Sequence, residues 1–144
     1  MIDLRDASAS AEAVIEALAL QPHPEGGHFR ETWRDVPADG SRGAGTAILF
    51  LLRAGECSRW HRVDAAEMWI WQAGASLLLR IGADAKYRLG PVVTAGETLQ
   101  QLVPRDCWQS AHNLGHWTLC SCIVAPAFCF EGFELAAPDW QPCR

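Results

Sequence analysis

The sequence has a single tyrosine, Tyr87, and little positive charge: 12 lysines and arginines stand against 17 acidic residues, a net charge of −5. Nucleic-acid-binding domains carry a concentrated basic stripe, and Arg59 and Arg62 beside His61 do not make one. No nucleic-acid partner is therefore expected. No apolar run approaches the roughly 20 residues of a membrane helix, so no membrane partner is expected either. Residues 1–6 lack a basic segment leading into an apolar core, which points to a cytoplasmic location. None of the six cysteines forms a Cys-x-x-Cys pair, which removes the usual structural zinc spacing. In a reducing cytosol they read as buried small side chains. Repeats, linkers and low-complexity segments are also missing, so residues 1–144 are expected to form one domain, long enough for a full core.

Between these absences the chain is dense in strand and turn signals. Residues 9–20 read as a short N-terminal helix, with Ala11, Val14, Ile15 and Leu18 on one apolar face, Ser8 or Ser10 as cap and Pro22 as stop. After Gly26-Gly27, the residues from His28 to Trp33 alternate as in a strand, placing Phe29, Glu31 and Trp33 on one face and Arg30 on the other. Residues 35–45 have the Gly, Pro, Asp and Ser content of a surface loop. Further strands are expected at 46–52, 77–81, 99–103 and 117–124, with a hairpin around Tyr87. Eight to ten short strands separated by turns indicate an all-β sandwich or barrel, spanning about residues 27–136.

Residues 55–74 organise the rest. Strand parity aims His61, Val63, Glu67, Trp69 and Trp71 the same way. An imidazole and a carboxylate among bulky aromatics suit the inside of a small barrel. They give two candidate catalytic residues, His61 and Glu67. Trp69 and Trp71 give stacking area for a ligand.

The spacing of Gly55, His61, Glu67 and Gly74 resembles the first motif of the cupin superfamily, with Val63 where that motif has a second His. Pro104, Asp106, Gln109 and Asn113 follow the register of the second motif, with Gln109 at the position of a third His. The segments His23–Gly27, Ser58–Val63, Ala66–Trp69 and Val124–Phe128 are similar to those of a family of small cupins sharing His-Pro-Glu-Gly-Gly. Ala66, Asp106, Ala127 and Cys129 depart from that family's Asp, Gly, Gly and Asp. The resemblance covers about residues 20–136 and implies a cupin double-stranded β-helix, a jelly-roll barrel able to hold one small ligand. It also implies a homodimer.

A typical cupin site offers three imidazoles and a carboxylate to a metal. Valine and an amide leave this chain one imidazole short even of a two-His, one-carboxylate set. His112, His116 and His28 fall in the wrong parity or in turns, so no metal and no other cofactor is expected. The favoured function is binding of a small sugar-like or aromatic ligand inside the barrel, with Glu31, Arg30, Trp69, Trp71 and Gln109 as ligand-binding residues. The alternative comes from Gly27-x-Phe29-x-Glu31, which is similar to a segment of cupin sugar-nucleotide epimerases. His61 would then be the general base. That reaction needs an acid on the opposite ring face, and Tyr87 is the one tyrosine that could supply it.

Overall fold

The computed structural model describes residues 1–143. Eleven strands follow one helix, α1 (Ala11–Ala17): β1 (Gln21–Pro22), β2 (His28–Arg34), β3 (Thr46–Arg53), β4 (Cys57–Val63), β5 (Ala66–Gly74), β6 (Leu77–Ile81), β7 (Ala85–Leu89), β8 (Gln100–Val103), β9 (Gln109–Asn113), β10 (Trp117–Ala125) and β11 (Phe133–Leu135). They form two antiparallel sheets, ordered β1-β2-β3-β10-β5-β8 and β11-β4-β9-β6-β7. This is the all-β jelly roll that the turn spacing and the motifs indicate.

The sheets face each other across a core that fills one half of the barrel. Phe50 and Leu52 of β3, Trp69 of β5, Leu77 and Leu79 of β6, Ala111 of β9 and Cys120 and Cys122 of β10 are all buried there. On β3 the alternate residue Leu51 faces outward yet is also buried, because α1 lies over it. Val14, Leu20, Trp117 and Leu119 complete this second layer. The near-continuous apolar run in β3 is thus explained by burial on both faces.

The helix is shorter than its periodicity suggests. Ser10 caps it, accepting from the Ala13 amide at 3.2 Å. It ends well before Pro22, because Ala19 turns to a positive φ of 53°. The amides of Ala19 and Leu20 then return to the carbonyls of Glu16 and Ile15, at 3.1 and 2.9 Å. This is a Schellman closure, and Leu20 and Ile15 pack together beneath it. The segment 35–45 is a surface loop held at its base: Arg42 donates to Asp64 Oδ1 at 2.7 Å and to the Ala127 carbonyl at 2.7 Å.

Three one-residue bulges decide which side chains reach the interior. In β4, Ser58 pairs with Ala111 and His61 with Gln109, so Arg59 and Trp60 together oppose a single residue, Ser110. In β2, Glu31 pairs with Ile48 and Trp33 with Ala47. The third lies where β5 meets β10, around Gln72. A bulge restarts the alternation of faces. The strict parity expected for β2 is therefore corrected: beyond Thr32, Trp33 turns out to 49% exposure and Arg34 turns in beside Glu31.

Candidate functional site

The other half of the barrel, where Val63 and Val124 pack with Phe128 and Phe133, is filled less completely. It forms a cavity with about 60 Å³ of free space, bordered by the sheets and by the segment that carries Phe128, Phe130 and Phe133. Its deepest group is assembled by the β4 bulge and the turn before β2. The bulge puts Ser58 and His61 on the same inner face, three residues apart. The turn delivers Glu25. Gly26 and Gly27 follow it with φ of 107° and 76°, and a Cβ at Gly26 would collide with the carbonyl of Cys57. Only glycine lets the turn lie this close to β4. The Glu25 carbonyl accepts from the Arg59 amide at 2.8 Å, while its carboxylate takes Ser58 Oγ and His61 Nδ1, both at 2.7 Å. His61 Nδ1 also lies 2.7 Å from the Arg59 carbonyl. His23 stands 3.4 Å from the other Glu25 oxygen.

Across the cavity Glu67 accepts from Gln109 Nε2 at 2.7 Å, and Gln109 Oε1 accepts from Trp69 Nε1 at 2.7 Å. This relay fixes the amide's orientation, with its NH₂ toward the carboxyl. Phe29, Ile48, Val63, Val124, Phe128, Phe130 and Phe133 provide the apolar walls. At the mouth, Arg34 grips Glu31 through two bonds of 2.8 Å and donates to the Phe128 carbonyl at 2.8 Å.

The buried charges perturb one another. Burial alone would lower the His61 pKa, but the charge and hydrogen bond of Glu25, helped by Glu67, push it up to about 9. Burial raises Glu67 to about 7, against the attraction of His61 and with the repulsion of Glu25. Burial also opposes ionisation of Glu25, yet His61, His23 and Ser58 bring its pKa below the ordinary value. Near neutrality the site therefore holds a Glu25 carboxylate, a His61 imidazolium and a Glu67 carboxyl close to its midpoint. Burial strongly raises the Cys122 thiol, which also faces the cavity, so it stays protonated.

The structure brings together His61, Glu67 and Glu31 at this cavity. Gln109 lies behind Glu67 as its donor, 1% exposed. Trp69 is 1% exposed and packs in the filled half of the barrel, with Trp71 against the same core. Trp71 bonds through its Nε1 to the Ala75 carbonyl at 3.1 Å. Arg30 is exposed on β2 and does not border the cavity. Tyr87 lies on β7, the edge strand, and is also exposed. Glu25, Arg34 and the phenylalanine wall are absent from the sequence-based site. Strand alternation has no power over a residue in a turn, and the signal that marks Glu25 is the pair of glycines after it.

A model of the cupin superfamily (DUF985) matches residues 12–136. The chain belongs to that family. Similar solved structures support the assignment. A protein from Shewanella oneidensis shares 38% identity at a TM-score of 0.84, over 90% of this chain and 85% of that one. A hypothetical protein from Leishmania major shares 30% at 0.81, over 90% and 88%. The DMSP lyase DddQ from Ruegeria pomeroyi, at 17% identity, TM-score 0.61 and coverage of 94% and 74%, shares the fold. No curated protein matches. Metal-holding cupins present free imidazole nitrogens, and this cupin's donor set does not fit a metal. Val63 has no donor and Gln109 turns its NH₂ toward Glu67, so two positions that would ligate a metal cannot, and His61 Nε2 with Glu67 falls short of a two-His, one-carboxylate set. Among the described residues no three His, Cys, Asp or Glu side chains form a metal-binding group.

Proposed function

We propose that this cupin binds a small molecule at the open end of its barrel, without a resident metal. The head group lies between Glu67 and His61, and a flat apolar or aromatic body rests against Phe29, Phe128, Phe130 and Phe133. The observation that carries this reading is the buried Glu25–His61 ion pair beneath a phenylalanine-walled cavity. Buried ion pairs are costly, and well-packed apolar side chains would stabilise the barrel as well or better. His61 lines the cavity, and no hydrogen bond engages its Nε2 among the described residues, so it faces a ligand as a donor. Free space of about 60 Å³ suits a head group such as a carboxyl or amide, with the ligand's body reaching out to the rings at the mouth. It is well below the several hundred Å³ of sites for larger ligands, and that favours a small ligand over a sugar nucleotide.

The test is a thermal-shift and NMR screen of small aromatic acids, amides, phenols and monosaccharides, against wild type and Glu67→Gln. A binder should raise the melting temperature by several degrees at saturating concentration and shift the His61 ring signals, with the effect weakened in the variant. A screen in which no compound perturbs His61 would overturn the reading.

One observation favours a second, enzymatic reading. A carboxyl with a pKa of about 7 is suited to move protons at physiological pH. In that reading Glu67 takes the role first expected of His61, which holds its proton until about pH 9. The exposed position of Tyr87 weighs against two-sided epimerase chemistry. The homodimer implied by the family also stands as a proposal. Leu102 in the edge strand β8 and Leu99 just before it, each about half exposed, are the surface offered for it.

A further inference from the structure

Outside the barrel, the same β4 bulge builds a second cavity. Because Arg59 and Trp60 both oppose Ser110, both are placed on the outer face of the five-stranded sheet. Arg80 is the β6 partner of Ser110, and His112 follows two residues along β9. The C-terminal segment 137–141 runs beside these residues, and together they line a cavity of about 190 Å³. Trp140 meets Trp60 edge to face with ring centroids 6.4 Å apart, and the Arg80 guanidinium lies 5.2 Å from the Trp60 ring centre.

The polar atoms of this cavity are unevenly satisfied. Arg59 Nη2 donates to the Ala136 carbonyl at 2.7 Å, which fixes the guanidinium in place. Its Nε is buried without a partner, and so is Ser110 Oγ, on a residue only 2% exposed. Native proteins pair nearly all such groups. Here two unspent donors, one of them on the Arg59 guanidinium, belong to residues that line one cavity with Arg80, and among the described residues the single acidic side chain at the cavity is Asp139, exposed on its rim. Burial first, and then the Arg80 charge, lower the His112 pKa.

We propose that this cavity is a binding site for a small oxyanion, a carboxylate or phosphate group, held by Arg59 Nε, Ser110 Oγ and Arg80. The tryptophans give an adjoining flat wall for an organic body. The site is distinct from the barrel cavity, since it opens on the opposite face of the sheet and takes an anion through donors that the barrel ligand does not meet.

NMR on the full-length, ¹⁵N-labelled chain tests this, with inorganic phosphate and acetate titrated separately at constant ionic strength. Saturable shifts of the Arg59 Hε and Ser110 amide signals are expected from at least one anion, together with a rise in the His112 pKa as the local charge is neutralised. Phosphate alone would identify a phosphate site, acetate alone a carboxylate site, and both a general oxyanion site. Ser110→Ala should weaken binding about tenfold through loss of one charge-assisted bond. Without anion the same variant should melt no lower than wild type, because it removes an unsatisfied hydroxyl. Arg80→Gln should weaken binding comparably while leaving the barrel's His61 signals in place. Two results would each overturn the proposal: shifts that stay linear for both anions, as with ionic-atmosphere effects, or saturable binding that both variants leave unchanged.

Discussion

Glu25, His61 and Glu67 form a buried titrating set, and their shifts make stability depend on pH in a definite direction. The His61 pKa is raised in the folded state, from 6.5 to about 9. Its contribution is complete below the unfolded value and disappears as pH climbs through the folded one. For a shift of that size the contribution is on the order of 3 kcal/mol. The Glu67 pKa is raised from 4.5 to about 7, so the folded state also binds the extra proton in that interval and loses stability as pH rises across it. Glu25 has the opposite sign: its pKa is lowered, and its contribution is lost as pH falls below the ordinary carboxylate range. Calorimetry should therefore find the melting temperature falling from about pH 6.5 to pH 9, as the protons held by Glu67 and His61 in the folded state are lost. A flat profile over pH 6–9 would contradict the assigned protonation states. Glu25→Gln should bring the His61 pKa down, seen in ring NMR shifts. It should cost about 3–5 kcal/mol at pH 6, because a buried imidazolium loses its counter-ion.

At the scale of elements, the α1 closure places an alanine where the backbone is left-handed. A Cβ is disfavoured there by about 1–2 kcal/mol, partly offset by the greater unfolded freedom of glycine. Ala19→Gly should thus stabilise the protein by about 0.5–1 kcal/mol in urea unfolding, and a loss of stability would show that the Schellman closure is wrongly described. The short helix, the strands and the inward face carrying His61, Val63, Glu67 and Trp69 were all legible in the spacing of apolar residues. The cupin motifs also located Gln109. What spacing could not supply was function within that face. Trp69 and Trp71 share parity with Glu67, but they lie farther along the barrel, where the core is packed. Glu25 sits in a turn, and Arg34 reaches the cavity through a bulge, where parity counting fails.

At the scale of the molecule, one half of the barrel is packed and the mouth of the other is narrowed by a strap, the segment that carries Phe128 and Phe130. Arg34 and Arg42 hold that strap through the carbonyls of Phe128 and Ala127, each bond under 3 Å. Phe130, 58% exposed, is its outermost ring. Phe130→Ala should accelerate ligand release, read by NMR exchange broadening, with little change in stability because the ring is mostly in water. The proposed homodimer makes a further molecular prediction. Sedimentation at tens of micromolar should give twice the monomer mass of 15.8 kDa, and Leu102→Lys should return the protein to monomer. Sedimentation of the wild type at 15.8 kDa would remove the assembly from the proposal.

The β4 bulge has a consequence for insertions and deletions. Ser58 and His61 face inward with an extra residue between them, so deletion of either Arg59 or Trp60 would leave them two apart and still on one face. Deletion of Thr32 would spare Glu31 and Arg34 in the same way. A one-residue deletion between other paired positions of these strands would turn the residues beyond it to the opposite face. Aligned cupins of this family should therefore place single-residue gaps at 32 and at 59–60. A relative with the gap at 59–60 would retain the inner cavity while lacking the outer one.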